Sequence, residues 1–177
     1  MKEGEGMESE YRIRVDRGPL PPLSALEEIY SKGGVSDLFD EQFEWKKHSS
    51  REGANDVTAN EVVMVMKCFT GEEIAQIGGL HSENIIAWGL KNGLVPADKK
   101  ETHAFGINAE TRHFQNEFSL VGLGSFAIFG GFRFVARLYS DSGKRCLDFS
   151  WFDSEWHSSH RFLFVRKPLN HAVHGRS

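Results

Sequence analysis

The residues best suited to chemistry lie close together near the C-terminus, in the run RCLDFSWFDSEWHSSHR at residues 145–161. A thiol at Cys146 with imidazoles at His157 and His160 could supply a nucleophile and its general base. Nothing in the sequence places a helix N-terminus or an orienting group beside Cys146 to favour its thiolate. His157 and His160 could also join Asp148 or Asp153 around a metal, and His171 with His174 forms a second short-spaced pair. The simpler reading makes these histidines polar residues of a turn and of a tail. The glycines of GLGSFAIFGG at residues 122–131 lack the spacing and the Lys-Ser/Thr ending of a phosphate loop, and read instead as strand bends or points of close packing.

Period 2 divides the same run into two faces. Leu147, Phe149 and Trp151 fall on one, a core face; Cys146, Asp148, Ser150 and Phe152 fall on the other. A thiol, a carboxylate, a hydroxyl and an aromatic ring are not a set that packing or solubility selects, so this second face is expected to meet solvent and touch a ligand. Trp156, among polar neighbours, could be core or binding platform. Arg133, Arg137, Arg161 and Arg166 are expected to form ion pairs on the strands.

The elements that must position these residues follow from patterning. Residues 1–10 are acidic and poor in apolar groups, which predicts disorder; Tyr11, Ile13 and Val15 then alternate as in a half-buried strand, stopped by GPLPP. Ser24 with Glu27, Thr58 with Glu61, and Thr70 with Glu73 each have capping-box spacing and predict three helices, the second carrying Val62, Val63 and Met66 with Cys68 at its end. Phe43 to Lys47 reads as a short strand and residues 46–56 as a loop. Ser82 opens a further short helix that ends at Gly93. Helical patterning fades over residues 94–117, with Phe105, Ile107 and Phe114 as anchors. From Ser119 onward SLVGLGS, RFVARLYS, RCLDFSWFD and RFLFVRK are strands of one antiparallel sheet. Helices early and strands late predict an α+β fold, with one domain at residues 11–168 and a flexible tail at 169–177.

Composition narrows the function. The chain has 177 residues and a formal charge of −4, which gives no electrostatic reason to expect a nucleic acid or an anionic membrane as partner. There is no apolar run long enough to span a bilayer and no signal-peptide core, so a soluble chain made without secretory processing is expected. Two cysteines are too few for a disulfide scaffold and too far apart to suggest a zinc site.

The block GGFRFVARLYSDSGKRCLDFSWFDSEWHSSHRFLFVRK resembles the C-terminal region of variable proteins diversified by retroelements, most like those of archaea and their viruses. The resemblance is carried by the Gly-Gly-Phe-Arg entry at Gly130, Gly131, Phe132 and Arg133, by the strand from Leu147 to Trp151, and by the closing RFLFVRK. It implies a C-type-lectin-like fold with N-terminal helices packed on a mainly antiparallel sheet, and a variable region at about 139–160.

In that family, adenines of a template repeat are replaced at random, so Asn codons become a set that cannot encode Trp, Met, Lys, Glu or Gln. Cys146, Asp148, Ser150, Phe152, Asp153, Ser154, His157, Ser158, Ser159 and His160 all belong to the permitted set, whereas Trp151, Glu155 and Trp156 would be fixed scaffold. With Tyr139 and Asp141, the ten permitted residues form the implied ligand-binding surface, Phe152 or Tyr139 serving as aromatic anchor. The implied function is recognition of a protein or cell-surface ligand, on a virion or cell surface, without catalytic residues, cofactor or metal. Glu-Pro-Asn, Gln-Pro-Asp and Trp-Asn-Asp are missing, so calcium-dependent sugar binding is not implied. Two alternatives stay open: an enzyme on the related formylglycine-generating fold, using Cys146 with a metal and requiring a second reactive thiol, and a zinc-dependent hydrolase built on His157, His160 and Asp153.

Overall fold

The computed structural model describes residues 8–168. Its architecture is mixed α/β, with four helices and one eight-stranded, mostly antiparallel sheet. The strands are β1 (Glu8–Arg14), β2 (Trp45–Lys47), β3 (Glu61–Lys67), β4 (Leu94–Pro96), β5 (Leu120–Phe129), β6 (Phe132–Asp141), β7 (Lys144–Trp151) and β8 (Arg161–Arg166). The helices are α1 (Leu23–Ile29), α2 (Gly71–Ile77), α3 (Ser82–Lys91) and α4 (Lys99–Ile107). The main order is β1-β3-β8-β5-β6-β7, with β2 added to β5 and β4 to β8. The one parallel pairing between strands among the described residues, β5 with β8, sits at the centre.

Both faces of this sheet are covered, and the alternation of β8 shows it. Leu163 and Val165 enter one core with Ile13, Leu26, Phe105, Leu138 and Leu147. Phe162 and Phe164 enter a second with Val65, Ile86, Leu123, Val135 and Phe152. Adjacent strand residues point to opposite faces, so the helices between β3 and β5 and the N-terminal segment bury two layers rather than one.

Several local expectations hold. The Tyr11, Ile13 and Val15 strand forms, the Thr70 box closes in both directions on Glu73, and α3 begins at Ser82. The four late runs are all strands. The β5–β6 and β6–β7 hairpins turn on Gly130-Gly131 and Ser142-Gly143, all four with positive φ, as two-residue hairpin turns require. The glycines of β5 are close-packing glycines: a Cβ on Gly122 would collide with Thr102, and one on Gly124 with the Pro96 carbonyl.

Other expectations are corrected. Glu8, Ser9 and Glu10, where disorder is expected, belong to β1 and pair with Lys67, Met66 and Val65, and residues 1–7 lie outside the described residues. The segment after Thr58 is a strand: Val62, Met64 and Met66 face one core and Val65 the other, between neighbours on both sides. A short apolar run rich in β-branched residues fits either period, and sheet pairing decides it. Cys68 therefore follows a strand. Ser24 caps nothing, since α1 starts at Leu23 after Pro22, and the Glu27 carboxylate accepts from the Gly33 amide instead. Residues 94–117 hold an unexpected strand, β4, and an unexpected helix, α4, closed by a capping box between Asp98 and Glu101. The tail from 169, with His171 and His174, lies outside the described residues.

Candidate functional site

The surface singled out by the sequence is built on the pairing of β6 with β7. Arg137 stands opposite Asp148, Tyr139 opposite Cys146 and Val135 opposite Ser150, so these six side chains share one face. Period 2 therefore groups Cys146, Asp148, Ser150 and Phe152 correctly. It does not expose them equally, and here the expectation is corrected. Phe152 is 1% exposed, stacked on His48 at 5.6 Å, beside Phe126 at 6.0 Å and 4.2 Å beneath the Arg133 guanidinium. Cys146 is 6% exposed, its thiol donating to the Lys144 carbonyl. Both sit on the face that carries the second core; Phe152 is packed within it, and Cys146 keeps only a small exposed edge, toward a cleft shared with Tyr139 and Asp148.

Trp151 is corrected in the opposite direction. It is 52% exposed and lies flat against Phe132, ring centres 5.2 Å apart and planes within 4°. With Phe129 and Phe132, both more than half exposed, it forms an aromatic patch at the end of the sheet where the first core stops. Trp156 resolves to the core: its indole Nε1–H donates to Ser82 Oγ at 2.9 Å and its amide to the Leu80 carbonyl at 2.8 Å.

What stays at the surface forms a connected group. The Tyr139 hydroxyl donates to Asp148 Oδ2 at 3.2 Å; burial, the charges of Asp148 and Cys146 and this bond all push the phenol pKa up. The Arg137 guanidinium lies 4.1 Å over the Tyr139 ring, and its buried Nε has no hydrogen-bond acceptor among the described residues. His160 completes this corner: burial lowers its pKa, and the nearby positive charge of Arg137 adds to the effect. Arg137, Tyr139 and His160 line a shallow cleft of about 290 Å³ with Glu117 and Ser119. Arg137 is the site residue that a strand-arginine reading missed. It makes no ion pair among the described residues, although Arg133 pairs with Asp153 at 2.5 Å and Arg166 with Glu10. Arg161 likewise turns to Cys68 Sγ and the Phe118 ring rather than to a carboxylate.

The loop after β7 is held firmly. The Ser82 hydroxyl donates to the Phe152 carbonyl, Glu155 bridges to His81, and Trp156 fills the core. On that frame His157, Ser158 and Ser159 are exposed, Ser154 is half-buried, and Ser159 N–H donates to His157 Nδ1 at 3.1 Å. Asp141 is exposed beside the β6–β7 turn and lines a second cleft with Tyr139 and Asp148.

The catalytic alternatives gain little from this geometry. Asp153 faces Arg133, His160 Nδ1 faces the His157 carbonyl, and no group of three metal-ligating side chains forms among the described residues. Cys68 and Cys146 are both free thiols: Cys68 donates to the Phe69 carbonyl and accepts from Arg161 at the start of β8, and Cys146 donates to the Lys144 carbonyl. No helix among the described residues is long and apolar enough to cross a membrane. Comparisons with protein-family models, with curated proteins and with solved structures find no match to this chain.

Proposed function

We propose that this chain is a non-enzymatic binding protein of C-type-lectin-like fold, diversified by a retroelement, whose β6–β7 face and following loop recognise a protein or cell-surface ligand. The observation that carries the reading is the gathering of permitted residues on a fixed frame. Tyr139, Asp148 and Ser150 from two paired strands, and Asp153, Ser154, His157, Ser158, Ser159 and His160 from one loop, are at least partly exposed. The backbone beneath them is pinned by Leu147 and Trp156, and Trp lies outside the permitted set. The surface so formed can change its side chains at a typical cost of about half a kcal/mol each, and its preorganised backbone keeps the cost of binding low. A mixed α/β sheet carrying its helices before its late strands is compatible with a lectin-like fold. Without Phe152, Tyr139 is the aromatic anchor, held by Asp148 and Arg137.

Sequencing the DNA beside the gene tests this directly. A near-copy of the segment encoding residues 139–167, differing almost only where the copy has adenine and lying next to a reverse-transcriptase gene, is the expected finding. Absence of any such repeat removes the proposal.

A further inference from the structure

On the other side of β5 lies a cleft of about 440 Å³ that the β6–β7 surface does not share. Its lining includes Arg17, Lys46, Lys47, Lys99 and Lys100 beside Trp45 and Val57; Trp45 and Lys47 share one face of β2, and Lys46 between them contributes backbone. Its frame is rigid. Trp45 donates from Nε1 to the Leu38 carbonyl at 2.7 Å and stacks on Phe39 at 5.1 Å. The Lys99 amide donates to Ser125 Oγ at 2.9 Å, and Gly124 bonds to Ala97 and His48 through its backbone.

The charges do not balance. Glu101 and Asp98 are engaged by Arg51 and Arg17, and Asp56 by Arg51 and Lys47. Five cations, Arg17, Arg51, Lys47, Lys99 and Lys100, thus meet three carboxylates in a chain whose overall charge is −4. The Lys99 ammonium has no carboxylate partner among the described residues and sits 5.1 Å over the Trp45 ring, and Lys100 donates to the Arg17 carbonyl. Burial, then the charge of Lys100, lowers the Lys99 pKa. A half-desolvated ammonium beside like charges is stabilised most by an anion placed among them.

We propose that this cleft binds a small polyvalent anion, its phosphate or carboxylate groups held by Lys99 and Lys100 and its apolar part resting on Trp45 and Val57. Phosphate and carboxylate share the chemistry that the lysines recognise, and separate probes distinguish them.

Calorimetric titration of the full chain with pyrophosphate and with citrate at low salt is the test. One-to-one binding with a Kd of the order of 0.1 mM is expected, weakened about tenfold by each of Lys99→Gln and Lys100→Gln and unchanged by Lys91→Gln at the exposed end of α3. Binding of pyrophosphate alone identifies a phosphate ligand, and of citrate alone a carboxylate ligand; both outcomes uphold the site. In wild-type protein carrying ¹³C-methylated lysines, the Lys99 resonance is expected to shift with the same saturation curve, a readout that needs no variant. Absence of saturable binding by either probe, or binding undiminished in both lysine variants, overturns the proposal.

Discussion

Arg51 and Glu101 are both fully buried, joined through two guanidinium nitrogens, with Asp98, Asp56 and Arg17 around them. Glu101 also closes the α4 box by accepting from the Asp98 amide at 2.8 Å. Removing one partner leaves the other charge buried without compensation, so Glu101→Ala is expected to lower stability by about 3 to 5 kcal/mol in urea unfolding. Glu101→Gln, which keeps acceptor and shape, is expected to cost less. His103 offers a different test. Burial first, and then the Arg145 charge, hold its pKa at about 4, and its Nδ1 meets the Tyr30 hydroxyl at 2.8 Å. The unfolded chain, with an ordinary pKa near 6.5, binds that proton more readily. Stability is therefore full above pH 6.5 and falls as pH drops from 6.5 to 4, by up to about 3 kcal/mol. Denaturant midpoints across this range are expected to slope less in His103→Gln. Equal slopes in the two proteins would count against a buried neutral imidazole.

Two capping-box sequences that look alike separate at the level of elements. Thr70 Oγ1 accepts from the Glu73 amide at 3.1 Å, whereas Ser24 lies inside α1 with no cap bond. Thr70→Ala is expected to cost about 1 kcal/mol and Ser24→Ala less than about 0.5 kcal/mol by thermal or urea unfolding. The same contrast explains what the sequence could reveal. The late strands were legible because Val, Phe and Leu recur between Gly-Gly and Ser-Gly turns that only a hairpin needs. The Thr58 box misled because Glu61 stands in β3 opposite Arg14, and register with β1 and β8 overrides a local signal. Helix α4 stayed hidden because it buries Glu101, Thr102 and His103 along with Phe105, so no apolar stripe marks it; the Asp98 and Glu101 spacing was its one readable sign. At the site, period 2 grouped the β7 residues rightly, but their burial depends on α3 and on the loop from Phe152 to Trp156, which arrive from elsewhere in the chain.

Across the whole molecule, the sheet carries a core on each face, and the proposed binding surface occupies the part of one face that the helices leave open. Function by side-chain replacement requires this surface and the core to be energetically separate. They meet at Phe152, which lies in the permitted set by residue type and in the second core by position. Phe152→Ala is expected to cost about 3 to 5 kcal/mol, because the ring leaves a cavity between His48, Phe126 and Arg133. Ser158→Tyr, Ser159→Asp and His157→Ser, on exposed positions, are each expected to change stability by no more than about 0.5 kcal/mol. Combined in one chain, the three are expected to cost no more than about 1.5 kcal/mol, with a departure from additivity between His157→Ser and Ser159→Asp, because His157 Nδ1 accepts from the Ser159 amide. Chemical denaturation of the four single variants and the triple variant measures this. A triple variant destabilised by more than about 2 kcal/mol would mean that the loop's side chains help to hold its fold, and a surface of that kind could not be freely rewritten.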